Sequence, residues 1–346
     1  MNKLTMIGAA AVVAASAVTA RAETIEINGL TWTYTPYEAT RTMTIDSVPT
    51  GANAKDIPWS LVITGVTYKV TSLPANSFFA SKEVTGNITI PSYVTSIAGT
   101  YMFQNNSITN AIVEASGSVA GEGLFAQCTK LQSAWFKGTL NLNLKNLFCL
   151  SSGMKVALFG SQVKGWSNSG YPFKNTTCSG CKFYYPHGVG GWTSWLGTGG
   201  TGVEAIPYGA GRDINLEVDE EEKTITATVT TAGRLVSVLN SAPYFKSGFK
   251  LDAHINVTNS IDLTGVTITP AMVSGVTFDR LMFAVKTQAQ LNSILNAFPA
   301  TTPISIDPTG LTENMVIPDD YPNVYVKTVP GVTIKRTASG FMIIVM

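Results

Sequence analysis

Apolar and polar positions in the middle of the chain repeat as one short phrase. Five three-residue strand cores, Ile88-Thr89-Ile90, Ala111-Ile112-Val113, Ala134-Trp135-Phe136, Ala157-Leu158-Phe159 and Phe183-Tyr184-Tyr185, end on residues 23, 23, 23 and 26 positions apart. A second column, Phe79, Phe103, Phe125, Phe148 and Phe173, recurs at intervals of 24, 22, 23 and 25. Two independent columns on one period predict a stacked solenoid over residues 66–187, because units this short bury an apolar face only against a neighbour. Side chains alternate along a strand. Ile88 and Ile90, Ala111 and Val113, Ala134 and Phe136, and Ala157 and Phe159 therefore share an inward face with the Phe column. The residues between them, Thr89, Ile112, Trp135, Leu158 and Tyr184, form an outward column. Extended repeat surfaces are common binding faces, so this column is the candidate partner-binding stripe. The alternative is that a later part of the chain folds over it.

Residues 23–65 read as an N-terminal cap. Two alternating runs, Glu23 to Ile27 and Leu30 to Tyr34, flank Asn28-Gly29, the strongest short hairpin signal. Residues 188–211 are glycine-rich and carry Trp192 and Trp195, predicting a C-terminal cap and linker. They do not form a phosphate loop, since no Gly-Lys pair and no following helix pattern occur.

A separate α+β domain is expected over residues 212–346. It opens with a hairpin around the acidic turn Asp219 to Glu222 and continues as two tandem helix–strand–strand modules. The phrase Val229-Thr230-Thr231 with Leu235, Ser237, Leu239-Asn240 and Pro243 returns as Val285-Lys286-Thr287 with Leu291, Ser293, Leu295-Asn296 and Pro299. Apolar spacing predicts a helix in each copy, and each Pro is expected to close its helix. Ile261-Asp262-Leu263-Thr264-Gly265 and Ile306-Asp307-Pro308-Thr309-Gly310 are a second matched pair. The fold class is therefore mixed α/β, rich in strands.

Composition narrows the setting. Charged residues are only 13% of 346 and hydrophobic ones 45%, enough for a packed core and unusual for a cytosolic enzyme. Met1 to Ala22 has a basic start at Lys3, an apolar run from Met6 to Ala20 and an Ala20-Arg21-Ala22 cleavage pattern, which predicts a signal peptide and an exported chain. Extracellular, cell-surface and periplasmic destinations all fit. Later apolar stretches are too short for a transmembrane helix. A near-neutral charge gives no electrostatic case for nucleic acid. In an exported chain Cys128, Cys149, Cys178 and Cys181 are candidate disulfide cysteines. One or two structural bridges fit best, with free thiols and a metal site as the other readings. No metal, cofactor or catalytic residue is assigned, because two histidines and a carboxylate-poor array supply no recognisable constellation.

The first repeats carry a resemblance as well as a period. Asn87-Ile88-Thr89-Ile90-Pro91, Val94-Thr95-Ser96-Ile97 and Phe125-Ala126-Gln127-Cys128-Thr129-Lys130-Leu131 resemble BspA-like leucine-rich repeats, and Thr31-Trp32-Thr33-Tyr34 matches that family's lead-in. The likeness covers about residues 23–186 and weakens after the second unit, where the strand Pro becomes Glu114, Lys137 and Gly160. It implies a bacterial surface adhesin or recognition protein whose partner is a protein or glycan. A structural envelope or matrix component is the alternative, followed by a periplasmic glycan-acting enzyme.

Overall fold

The computed structural model describes residues 20–73, 79–165, 171–190, 192, 197–330, 332 and 334–337. The expected leader over 1–22 lies outside these except for 20–22, as do Trp195 and the strand expected from Phe341 to Val345. The protein is rich in strands, with few helices.

The chain enters through β1 (Glu23–Ile27), β2 (Leu30–Tyr37), β3 (Thr42–Ser47), β4 (Ser60–Ile63) and β5 (Val66–Lys69), one sheet in the order β1-β2-β3-β5-β4. Asn28 and Gly29 both take positive φ, 51° and 76°, as the tight β1–β2 hairpin requires. Trp32 and Tyr34 are buried on one face.

Ten strands follow: β6 (Ser72–Leu73), β7 (Thr85–Ile90), β8 (Ser96–Ile97), β9 (Ser107–Val113), β10 (Gly117–Glu122), β11 (Ser133–Phe136), β12 (Leu140–Lys145), β13 (Val156–Phe159), β14 (Thr177–Pro186) and β15 (Thr201–Tyr208). They sort into two parallel sheets, β7-β9-β11-β13-β14-β15 and β6-β8-β10-β12. The second sheet was not foreseen from sequence. Its inward column of Leu73, Ile97, Val119 and Leu142 is in register and buried. β15 is a correction to the expected linker, because Thr201 to Tyr208 pairs along β14 as a sixth strand.

The period comes from stacked aromatics. Successive ring centroids are 4.8, 5.5, 6.3 and 5.0 Å apart along Phe79, Phe103, Phe125, Phe148 and Phe173. A second inner stack, Phe136, Phe159 and Phe183, has spacings of 4.8 and 4.9 Å. Parallel strands pair only with their neighbours, so the turns between them need partners of their own. The residue three after each Phe supplies one. Asn106 Nδ2 donates to the Phe79 carbonyl at 2.8 Å, and Cys128 Sγ to that of Phe103 at 3.0 Å. Ser151 Oγ donates to Phe125 at 2.6 Å and Thr176 Oγ1 to Phe148 at 2.9 Å. Asn106, Ser151 and Thr176 also accept a backbone N–H, from Val84, Cys128 and Leu150.

Of the four candidate disulfide cysteines, Cys128 takes a place in this ladder. Cys128 stands in the ladder column, three residues after its Phe, while Cys149 stands one after Phe148, in a different column. All four cysteines are free thiols, and burial pushes the Cys128 thiol up to about 12. A thiol so buried and so weakly acidic is a structural donor and not a nucleophile.

The remainder begins with an antiparallel hairpin, β16 (Ile214–Asp219) and β17 (Thr224–Val229). Next come α1 (Ala232–Tyr244), β18 (Asp252–Val257), β19 (Ile261–Asp262), α2 (Pro270–Val273), β20 (Thr277–Ala284), α3 (Gln288–Ala297), β21 (Ile304–Asp307), β22 (Met315–Pro318), β23 (Val324–Val326) and β24 (Ile334–Thr337). The sheet runs β16-β17-β18-β20-β21-β23 and is parallel from β17 onward. The matched phrases build the same parts twice. Thr231 and Thr287 each cap a helix, accepting the Arg234 and Gln290 N–H. Asp262 accepts the Thr264 N–H at 2.9 Å and Lys286 at 3.0 Å; Asp307 accepts the Thr309 N–H at 3.1 Å and Lys327 at 3.0 Å. Pro299 follows its helix as expected. Pro243 does not, because it lies inside the last turn of α1, and the chain continues as a π-helical turn, Phe245–Phe249. Such turns re-accommodate a helix that has lost a donor.

Ser151→Ala leaves the Phe125 carbonyl and the Cys128 N–H with only their long 3.4 Å contact to each other. It should cost about 1–3 kcal/mol in denaturant unfolding, with Ser151→Thr, the Thr176 solution to the same position, restoring most of it. Alkylation under non-reducing, denaturing conditions should tag both Cys128 and Cys149; a mass-resolved bridge between them would refute the ladder assignment.

Candidate functional site

The five positions of the stripe lie in register. Thr89 pairs with Ile112, Ile112 with Trp135, Trp135 with Leu158 and Leu158 with Tyr184. Its exposure changes along its length. Thr89 is exposed and Ile112 half-buried, whereas Trp135, Leu158 and Tyr184 retain 4, 2 and 0% of their surface. The structure brings the latter three into one apolar cluster with Phe245, Phe249, Leu235 and Leu239. Trp135, Leu158 and Tyr184 are therefore corrected from partner-binding to core positions.

The cover is α1 and the π-helical turn behind it. Trp135 lies 5.6 Å from Phe249 and Tyr184 6.0 Å from Phe245, ring centre to ring centre. The Tyr184 hydroxyl donates to the Ser237 carbonyl at 3.0 Å and shares a 2.9 Å hydrogen bond with Ser241 Oγ. Burial raises this phenol well above its ordinary value. Gly248 is where the turn meets the strands. A Cβ there would collide with Ser133 and reach Asn110, so the absence of a side chain sets the approach. Sequence reasoning assigned Phe245 and Phe249 nothing; the local signal, two Phe bracketing Lys-Ser-Gly after a helix, did not specify a destination.

Charge closes the rim of the same contact. Glu204 on β15 takes Lys182 at 2.5 Å, Arg234 of α1 at 2.5 Å and the Ser237 hydroxyl at 3.2 Å. Burial opposes ionisation of Glu204, but Lys182, Arg234 and Ser237 outweigh it and hold the carboxyl below its usual value. Lys137 sits 4.9 Å over the Trp135 ring and bridges Glu114 at 2.8 Å and Glu220 at 2.7 Å.

What stays open is the far end of the sheet. Asn87 and Thr89 on β7 are exposed, and Asn110 and Ile112 on β9 half-buried. Asn87 Oδ1 accepts from Thr109 at 2.7 Å and from Asn110 at 2.8 Å, and Asn110 Oδ1 from Ser133 at 2.6 Å. This fixed polar row ends against Gly248. Elsewhere, Cys178 and Cys181 lie buried on β14 as thiols. His254 Nδ1 lies 3.4 Å from Asp279. The acidic turn is internally satisfied, with Asp219 accepting the Glu221 and Glu222 N–H at 2.9 Å. Among the described residues no group of three or more His, Cys, Asp and Glu is placed to hold a metal. No described helix is long and apolar enough to cross a membrane.

Comparison with known proteins fits the array. Residues 60–178 match the model of the BspA type leucine rich repeat region, in six copies. Among solved structures, the chain is similar to a leucine rich cell surface protein from Faecalibacterium prausnitzii A2-165 at 11% identity and a TM-score of 0.32, covering 92% of this chain and 96% of that one. It is also similar to a leucine-rich repeat protein from Bacteroides ovatus ATCC 8483 at 11% identity and a TM-score of 0.26, covering 92% and 77%. Similarity at that level carries no argument of its own. No curated protein matches.

Trp135→Ala removes a buried ring and should destabilise by about 3–5 kcal/mol, read by denaturant unfolding; a change below 1 kcal/mol would mean the stripe is free. A lowered carboxyl stabilises the fold above its ordinary value and loses that contribution as pH falls through the folded value. Stability should therefore decline as pH drops below 4.5, the ordinary value for Glu204. Glu204→Gln should flatten that part of the profile.

Proposed function

We propose that this chain, whose residues 60–178 are a BspA-type leucine-rich repeat region, is an exported, non-enzymatic recognition or adhesion protein that holds a protein partner at a cell surface. Its working layout is an N-terminal cap over 23–65, a repeat solenoid over 66–187 extended by β15, and an α+β domain from 212 that covers part of the solenoid's sheet. The observation that carries the reading is the exposed row on β7 and β9. Asn87 and Thr89 face outward beside half-buried Asn110 and Ile112, and Asn87 is fixed by hydrogen bonds from Thr109 and Asn110. A preordered polar surface with one apolar residue loses little entropy on contact, and repeat arrays present such surfaces along their strands.

The burial of Trp135, Leu158 and Tyr184 favours a second reading, a structural envelope or matrix component in which the repeats act as a stiff spacer. The readings separate at Thr89. Thr89→Arg places a long cation on an exposed strand position and should leave stability within about 0.5 kcal/mol. On an array of extracellular-matrix proteins the parent chain should be retained on at least one member and Thr89→Arg weakened tenfold or more. Retention unaffected by Thr89→Arg overturns the assigned face. Retention on no member leaves the spacer. Protease accessibility on intact cells tests export separately.

A further inference from the structure

Beside the covered stripe lies a cleft to which nothing above assigns a role. It encloses about 590 Å³ between the ends of the array strands and the β16–β17 hairpin. That volume is in the range of small-ligand sites, which favour the junction of two packed units. Gly138, Gly160 and Ser161, which follow the strand cores, line its array side. Its apolar floor includes exposed Val218 and half-buried Val189, beside the edges of buried Leu158, Pro186, Tyr208 and Leu216.

The walls are polar and uncommitted. Gln162 and His187 stand on the array side, both exposed, and neither side chain bonds to another described residue. Across from them Asn215 and Glu217 also line the cleft; the Asn215 amide donates to Glu217 at 2.8 Å, which leaves the Asn215 carbonyl oxygen and further Glu217 acceptor positions for a ligand. Lys137 is spent between Glu114 and Glu220, so Glu217 is left as surplus negative charge. That surplus disfavours phosphates, sulfates and acidic sugars. The polar walls equally disfavour a wholly apolar ligand, whose entry would strand their hydrogen-bonding groups. A neutral sugar satisfies both conditions. Each hydroxyl donates and accepts, matching a mixture of amides, imidazole and carboxylate, while its C–H faces rest on the apolar floor.

We propose that this cleft binds a short neutral saccharide, at a site separate from the protein-recognising row on β7 and β9. Saturation-transfer NMR on the full chain with maltotriose, cellotriose, xylotriose and N-acetylchitotriose tests it, with sialyllactose and tri-lysine as the charged alternatives. At least one neutral trisaccharide should receive saturation. Gln162→Trp, which fills the cleft from an exposed position, should abolish the signal with the thermal midpoint unchanged. Asn215→Ala should weaken binding roughly tenfold, the loss of about one hydrogen bond, and Thr89→Arg should leave it intact. Silence from all four neutral sugars, a signal surviving Gln162→Trp, or binding of only sialyllactose or tri-lysine would overturn the proposal. Loss of sugar binding in Thr89→Arg would also overturn it, by merging the two sites.

Discussion

Everything in the first half depends on one coil handing its turn to the next. The Phe rings supply the apolar contact, and the residue three positions on supplies the hydrogen bond that a turn buried between two sheets lacks. Asn106, Cys128, Ser151 and Thr176 share little beyond a donor of suitable reach, yet each engages the carbonyl of the preceding Phe. This explains a cysteine in the repeat pattern without invoking redox chemistry. The thiol is one of several interchangeable donors, and its burial keeps it protonated.

Stacking of that kind leaves ends and faces uncovered, and the rest of the chain answers those needs. The five-stranded entry sheet closes the first coil, with Trp32 and Tyr34 joined to the array's own core. The sheet face opposite the Phe column becomes apolar at Trp135, Leu158 and Tyr184, where α1 and the Phe245–Phe249 turn settle. An exposed row of that composition would be an aggregation hazard. Covered, it fastens the two halves through a second core, bordered by the Glu204 and Lys137 ion pairs.

Covering part of a face divides what remains. The polar row of Asn87 and Thr89 faces outward on a sheet. The hollow next to Gly160 lies between the array strands and the β16–β17 hairpin. Both arise from where the second half stops.

Much of this was legible from residue pattern. The 23-residue interval, the strand-core and Phe columns, the Asn28-Gly29 hairpin and the doubled Ile-Asp-x-Thr-Gly phrase are local or periodic, and locality makes them readable. The column Thr89, Ile112, Trp135, Leu158, Tyr184 was likewise determined by strand alternation, down to its register. Its exposure was not, because whether an apolar row is an interface or a core depends on contacts with distant segments, Phe249 for Trp135 and Ser237 and Phe245 for Tyr184. The same limit hid the strand at Thr201 to Tyr208, whose glycine-rich approach carries no periodic signal, and hid the different columns in which Cys128 and Cys149 stand. The sequence by itself determined which side chains line up. Only the tertiary structure decided what lies on top of them, since burial is set by packing between distant segments and periodicity describes neighbours alone.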